Sequence, residues 1–261
     1  MKRIRKTHGK TTRRALVGNN VPVDNATPYN EDKRILMKRL TFFTICILIV
    51  CLAAACGKVK EEKTADQLAD EGLKAFEKRK YQKSIEAFEK LRDWYPFSKH
   101  AITADLKIAD AHFYMEEYEE AVIAYEEFER LHPRNEAIPM VVYRIGLCHF
   151  NRLDTIDRDQ TPAEKAMDAF YRLRRQYPDS EYAAKAADLV VKCRQSLAAH
   201  DLYVGKFYFK SKHYKSALDR FEKVVNLYAD VGDVQTAEQY IALCREKLNE
   251  DTENQKKEQA E

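Results

Sequence analysis

The stretch Gly72-Leu-Lys-Ala-Phe-Glu-Lys-Arg-Lys-Tyr81-Gln-Lys-Ser84-Ile-Glu-Ala-Phe88-Glu-Lys-Leu-Arg-Asp-Trp-Tyr-Pro96 decides the fold. Its marker residues Gly72, Tyr81, Ser84, Phe88 and Pro96 stand at offsets 0, 9, 12, 16 and 24. Shifted by 37, the same frame reads Ala109, Tyr118, Ala121, Tyr125 and Pro133. Another 37 residues reach Gly146, and after an eight-residue insertion the frame resumes at Ala166, Phe170 and Pro178. From Gly205 the offsets fall on Tyr214, Ala217, Phe221 and Ala229. Self-similarity at such a period marks a chain built from stacked supersecondary units.

Physics explains the residue types. A small residue lets the first helix of a pair approach the second closely. Ala or Ser lies opposite it, and an aromatic one turn later fills the gap behind. Pro then ends the second helix, because it cannot continue the hydrogen-bond ladder. These features resemble the tetratricopeptide repeat (TPR), with three linker residues beyond its usual 34. The expected fold is an all-α helical-repeat solenoid of about ten helices in five pairs. They fall at roughly 65–79, 81–94, 101–115, 118–131, 137–151, 162–177, 181–197, 198–212, 214–228 and 233–249. The insertion, Asn151 to Gln160, reads as a polar loop, and Thr161-Pro162-Ala163-Glu164 as a capping box with Pro at the first helical position.

Composition agrees. Only 7 Gly and 7 Pro occur in 261 residues, too few for the turns of a sandwich or barrel. The net charge of +3 mixes unlike segments: residues 1–36 carry nine Lys/Arg against three acids, whereas residues 57–261 hold 34 basic and 39 acidic residues. A mildly acidic body is a poor binder of nucleic acid through phosphate contacts.

From Met37 the chain changes character. Lys38 and Arg39 precede an apolar run, Leu40 to Ala55, which is too short to span a bilayer but suits the core of a secretory signal. Ala53, Ala54 and Ala55 lead into Cys56, which resembles the lipobox of bacterial lipoproteins, although Ala53 stands where Leu is usual. Cys51 is the weaker candidate, since Val50 before it is large for a cleavage site. The expected organisation is an extension over 1–36 that is disordered or precedes the true start at Met37. A lipoprotein signal peptide follows at 37–55, then a linker at 56–64 from the lipidated Cys56. The repeat domain covers 65–249, and 250–261 is a disordered charged tail. Absence of Asp after Cys56 points to the outer membrane. Cys148, Cys193 and Cys244 read as small buried hydrophobes, with a Cys148–Cys193 or Cys193–Cys244 bridge left open.

No catalytic, cofactor-binding or metal-binding constellation is expected. G-x-S-x-G, Walker, G-x-G-x-x-G and H-E-x-x-H patterns do not occur, and Asp154, Asp157 and Asp159 lack the Gly and Glu of a Ca²⁺ loop. His112 and His149 hold equivalent repeat positions and read as packing or partner contacts. A solenoid without chemistry is a binding surface.

The runs Tyr81 to Leu91, Tyr95-Pro-Phe-Ser-Lys99, Asp157-Arg-Asp-Gln-Thr161, Arg175 to Ala183 and Leu197 to Ala217, together with the insertion and Cys56, resemble the BamD (ComL/YfiO) family of TPR lipoproteins. The resemblance covers about residues 62–249. It implies a non-enzymatic subunit of the outer-membrane β-barrel assembly (Bam) complex, lipid-anchored on the periplasmic face of the outer membrane. The implied partners are the periplasmic domains of BamA, other Bam lipoproteins and unfolded outer-membrane proteins, with no nucleic acid. Its division of labour places substrate on the first two repeats and BamA on the last two pairs. The groove candidates are then Tyr95, Phe97, His112 and Tyr114, and the docking candidates Arg220 and Lys223. A TPR lipoprotein serving other envelope or peptidoglycan assembly is the alternative.

Overall fold

The computed structural model describes residues 28–54 and 62–258; among them the regular structure is helical, with no strand. The chain divides into two compact units between Glu62 and Lys63.

The first unit contains α1 (Pro28–Ala54). Residues 28–36 therefore belong to a helix, where the sequence reading placed no structure. The apolar side chains Leu36, Leu40, Phe42, Phe43 and Leu48 are exposed. Among the described residues no helix is long and apolar enough to cross a membrane. Cys56, most of the 56–64 linker and residues 1–27 lie outside the described residues.

The second unit runs α2 (Ala65–Glu77), α3 (Tyr81–Trp94), α4 (Ala101–Tyr114), α5 (Tyr118–Leu131), α6 (Ile138–Phe150), α7 (Thr161–Gln176), α8 (Glu181–Lys210), α9 (Tyr214–Leu227) and α10 (Val234–Glu258). Each helix packs on its successor, and α2 touches α4 as α6 touches α8. The helices expected at 181–197 and 198–212 are one 30-residue helix, α8. No Gly or Pro interrupts Leu197-Ala-Ala-His-Asp201, and the buried face continues through Leu197, Ala198 and Asp201. The last helix reaches into the charged tail. α10 continues to Glu258, helped by a Lys247–Glu250 ion pair at 2.7 Å.

Equivalent positions repeat their geometry. Arg79, Glu116 and Lys212, each seven residues after the small residue, take left-handed φ of 55°, 62° and 59°. In each turn the following N–H donates back five residues (Lys80 to Ala75, Glu117 to His112, His213 to Tyr208), closing Schellman caps. The third pair has the insertion instead. Its polar centre is Gln160, 6% exposed, whose Nε2 donates to the carbonyls of Thr155 and Arg158 while its Oε1 accepts from Ser196 of α8. Leu153 packs on the buried cluster of Ala163, Leu197, Ala198 and Tyr228. The insertion thus pins α8 to the third repeat. The expected capping box is absent, because Thr161 is already inside α7 and Asp159 accepts from both its N–H and its hydroxyl.

Gly72, Gly146 and Gly205 each face the aromatic of their partner helix, Phe88, Phe170 and Phe221, all fully buried. Ser84 donates its hydroxyl to the Gly72 carbonyl at 2.9 Å across the first pair. Cys148, Cys193 and Cys244 are free and buried. Burial pushes the Cys148 thiol up to about 12 and Cys193 up to about 11, so both are protonated, unreactive packing groups.

Candidate functional site

An aromatic–cationic ledge crosses the first three repeats. Its root is Asp110 on α4, 4% exposed. Asp110 accepts from the Tyr125 hydroxyl of α5 at 2.7 Å and from Lys107 at 3.0 Å, and pairs with Arg144 of α6 at 3.2 Å. Burial and the Asp110 charge push the Tyr125 phenol up, which keeps it a donor. Burial works against the charge on Arg144, but Tyr125 and Asp110 outweigh it and raise its pKa. A cation of fixed position results.

Above this root the rings gather. Arg144 donates to the Tyr114 hydroxyl at 3.1 Å, and its guanidinium lies 4.9 Å from the Phe113 ring centre and 5.1 Å from that of Tyr114. Tyr114 stacks on Tyr81 at 5.5 Å and 15°, and Phe76 meets both edge-on. Lys107 sits 4.6 Å over Phe76. With Tyr114 47% exposed, the ledge offers a rigid aromatic face edged by cations. Such a face can hold an extended peptide chiefly by stacking, since Arg144 and Lys107 already share the Asp110 carboxylate. Among the described residues no group of three or more His, Cys, Asp or Glu is placed to hold a metal ion.

The candidate residues separate. Tyr114 is on the ledge. The Tyr95 hydroxyl is committed to the Lys63 carbonyl at 2.9 Å, tying the chain's entry to the first pair. Phe97, on the connection between α3 and α4, is wholly exposed. His112 Nδ1 bonds Glu117 at 2.7 Å and braces the turn between α4 and α5, so it is less free for a ligand than the sequence reading assumed. His149 is buried in a different place, against the α5–α6–α7 cleft. Burial and Lys165 lower its pKa and keep it neutral, and its Nδ1 has no partner.

Arg220 and Lys223, with side chains 37% and 38% exposed, are shared with a buried carboxylate. Both point at Asp201 of α8, which is 1% exposed, with Arg220 at 2.7 Å from Oδ1 and Lys223 at 3.0 Å from Oδ2. Their charge neutralises this carboxylate before any partner arrives. The sequence reading also missed Arg144, Asp110 and Lys107. One signal was available: Arg144 is the single charge in the apolar run Ile138 to Phe150.

The model of the outer membrane lipoprotein family YfiO matches residues 61–260. The outer membrane protein assembly factor BamD of Neisseria meningitidis is 27% identical over 202 residues, covering 74% of this chain and 76% of its own. BamD of Vibrio cholerae is 29% identical over 198 residues, covering 70% and 82%, and that of Rickettsia prowazekii 28% over 195, covering 73% and 78%. Among solved structures, a TPR protein of Thermus thermophilus aligns with 69% of this chain and 98% of its own, at TM-score 0.39 and 14% identity. With its family model matched from the first repeat to the last helix, the chain belongs to the YfiO family of outer membrane lipoproteins.

Proposed function

We propose that this protein is a non-enzymatic assembly factor for outer-membrane proteins, held by lipid on Cys56 at the periplasmic face of the outer membrane. The observation that carries the reading is the family match over residues 61–260, joined to relatives named for outer membrane protein assembly. The exposed apolar side chains of α1 and the small residues before Cys56 support export and anchoring. Several acyl chains on one Cys hold a protein far more stably than one. Cys56→Ala is expected to leave the body unprocessed or soluble in the periplasm. Mass spectrometry of membrane-extracted protein showing an unmodified Cys56 would remove this part of the reading.

The Tyr81–Tyr114–Arg144 ledge suits unfolded outer-membrane protein, because a chain lacking structure still offers aromatic side chains and free backbone groups. The C-terminal pairs would dock the periplasmic domains of BamA beside other Bam lipoproteins. Tyr203 and Phe207, one turn apart on α8 and 46% and 61% exposed, are better contact candidates there than Arg220 and Lys223. Photo-crosslinking probes placed singly at Phe97, Tyr114, Tyr203 and Phe207 test the division. Substrate is expected at the first two positions and BamA at the last two; the reverse distribution overturns it.

A further inference from the structure

The third repeat departs from the others where α7 meets α8. The residue after the core aromatic is Glu89 in the first repeat, Glu126 in the second and Glu222 in the fourth, but Tyr171 in the third, 42% exposed. Three residues further, the first repeat has Arg92 beside Asp93 at 3.9 Å, and the second has Glu129 paired with Arg172 and Arg130 paired with Glu127, both at 2.5 Å. The third has Arg174 and Arg175, both exposed, and neither has a carboxylate within 4.0 Å among the described residues. The fourth has the uncharged Val225 and Asn226 there, so positions that are acidic, charge-balanced or neutral elsewhere are here aromatic and doubly cationic.

These residues border a cleft of about 460 Å³, floored by Ala183, Ala184 and Ala187 of α8 and edged by Pro178. The small floor lets another backbone approach closely. A favourable setting of cations at a helix C-terminus explains one basic residue in the last turn of α7, as in α3 and α5. It explains neither the second unpaired arginine nor the exchange of Glu for Tyr.

We propose that this cleft is a docking site for an acidic, extended segment of a partner protein. The two guanidinium forks match carboxylates in bidentate geometry. Tyr171 offers a flat apolar wall, and the alanines accommodate the backbone between the acidic side chains. A lone small anion would leave the apolar floor and the ring unused. The proposal stands on its own observations, apart from the ledge and its substrate.

The test uses the full chain in detergent micelles and a short labelled peptide alternating Glu with apolar residues, followed by fluorescence anisotropy. Binding should weaken about tenfold in Arg174→Gln and about tenfold again in the Arg174→Gln/Arg175→Gln double variant. It should also fall steeply with salt. Arg130→Gln, at the equivalent place in the second repeat, should bind like the parent, and all variants should keep the parent's helical circular dichroism. Absence of binding overturns the proposal, as does equal binding by the Gln version of the peptide or by the double variant. Vesicles of phosphatidylglycerol held through the same two arginines, with the peptide unable to compete, would reassign the cleft to a membrane surface and also overturn it.

Discussion

Replacing Gly146 with Ala should lower the unfolding free energy by about 2 kcal/mol, and Gly146→Leu by about 3 kcal/mol or more, read as a shift in urea midpoint at constant slope. A Cβ at Gly146 would stand 2.7 Å from Phe170 Cδ1 and closer still to Cε1. Real carbon atoms do not approach so closely, so the ring or the helix must move. The ring has little room, since Phe170 is fully buried among Val142, Ile145, Cys148 and Leu173. Opposing this, Ala is the better helix former by about 1 kcal/mol, which is smaller than the overpacking cost of about 1–3 kcal/mol. Gly146→Ala combined with Phe170→Leu should recover part of the loss, because the second change vacates the space the first one needs. An unchanged midpoint in Gly146→Leu would contradict the close approach of α6 and α7.

The second repeat shows why that position tolerates Ala in one place and not in others. Ala109 and Tyr125 occupy the Gly and Phe positions, both fully buried, and the Tyr125 hydroxyl is tethered to Asp110. The recurring offsets made this part of the architecture legible, because a close helix contact depends on a few residue types at fixed spacing. The turns follow the same frame, although the sequence reading did not single them out: Arg79, Glu116 and Lys212 sit at one offset and share one backbone conformation.

What escaped the sequence depends on contacts between residues far apart in the chain. The join of two expected helices into α8 comes from burial of Leu197 and Ala198 against Tyr228 and from the insertion loop, none of which a local period reveals. The cap of α7 was misassigned by one pattern, Thr-x-x-Glu, because Asp159 was better placed. Tyr114 was recognisable as an aromatic on a first helix. Its partner Arg144 lies 30 residues away, and only the stacking of α4 near α6 brings them together.

Removal of Arg220 and Lys223 should have the second large effect. Each Asp201 oxygen has its own cation, and the carboxylate side chain is 2% exposed, against 37% and 38% for Arg220 and Lys223. Losing either cation alone leaves the other in place and should cost about 1 kcal/mol, as expected for a half-solvated partner. Arg220→Ala/Lys223→Ala together strand a buried charge, and the cost should rise to about 3 kcal/mol, more than the sum of the single changes. Asp201→Asn added to the double variant should restore much of that loss, because an amide needs no countercharge. Thermal or urea melts of the four variants decide it. A double variant no worse than the two singles added would show that Asp201 draws little from its neighbours. A double variant with an unchanged melt but lost BamA binding would assign both cations the docking role that the family resemblance implies.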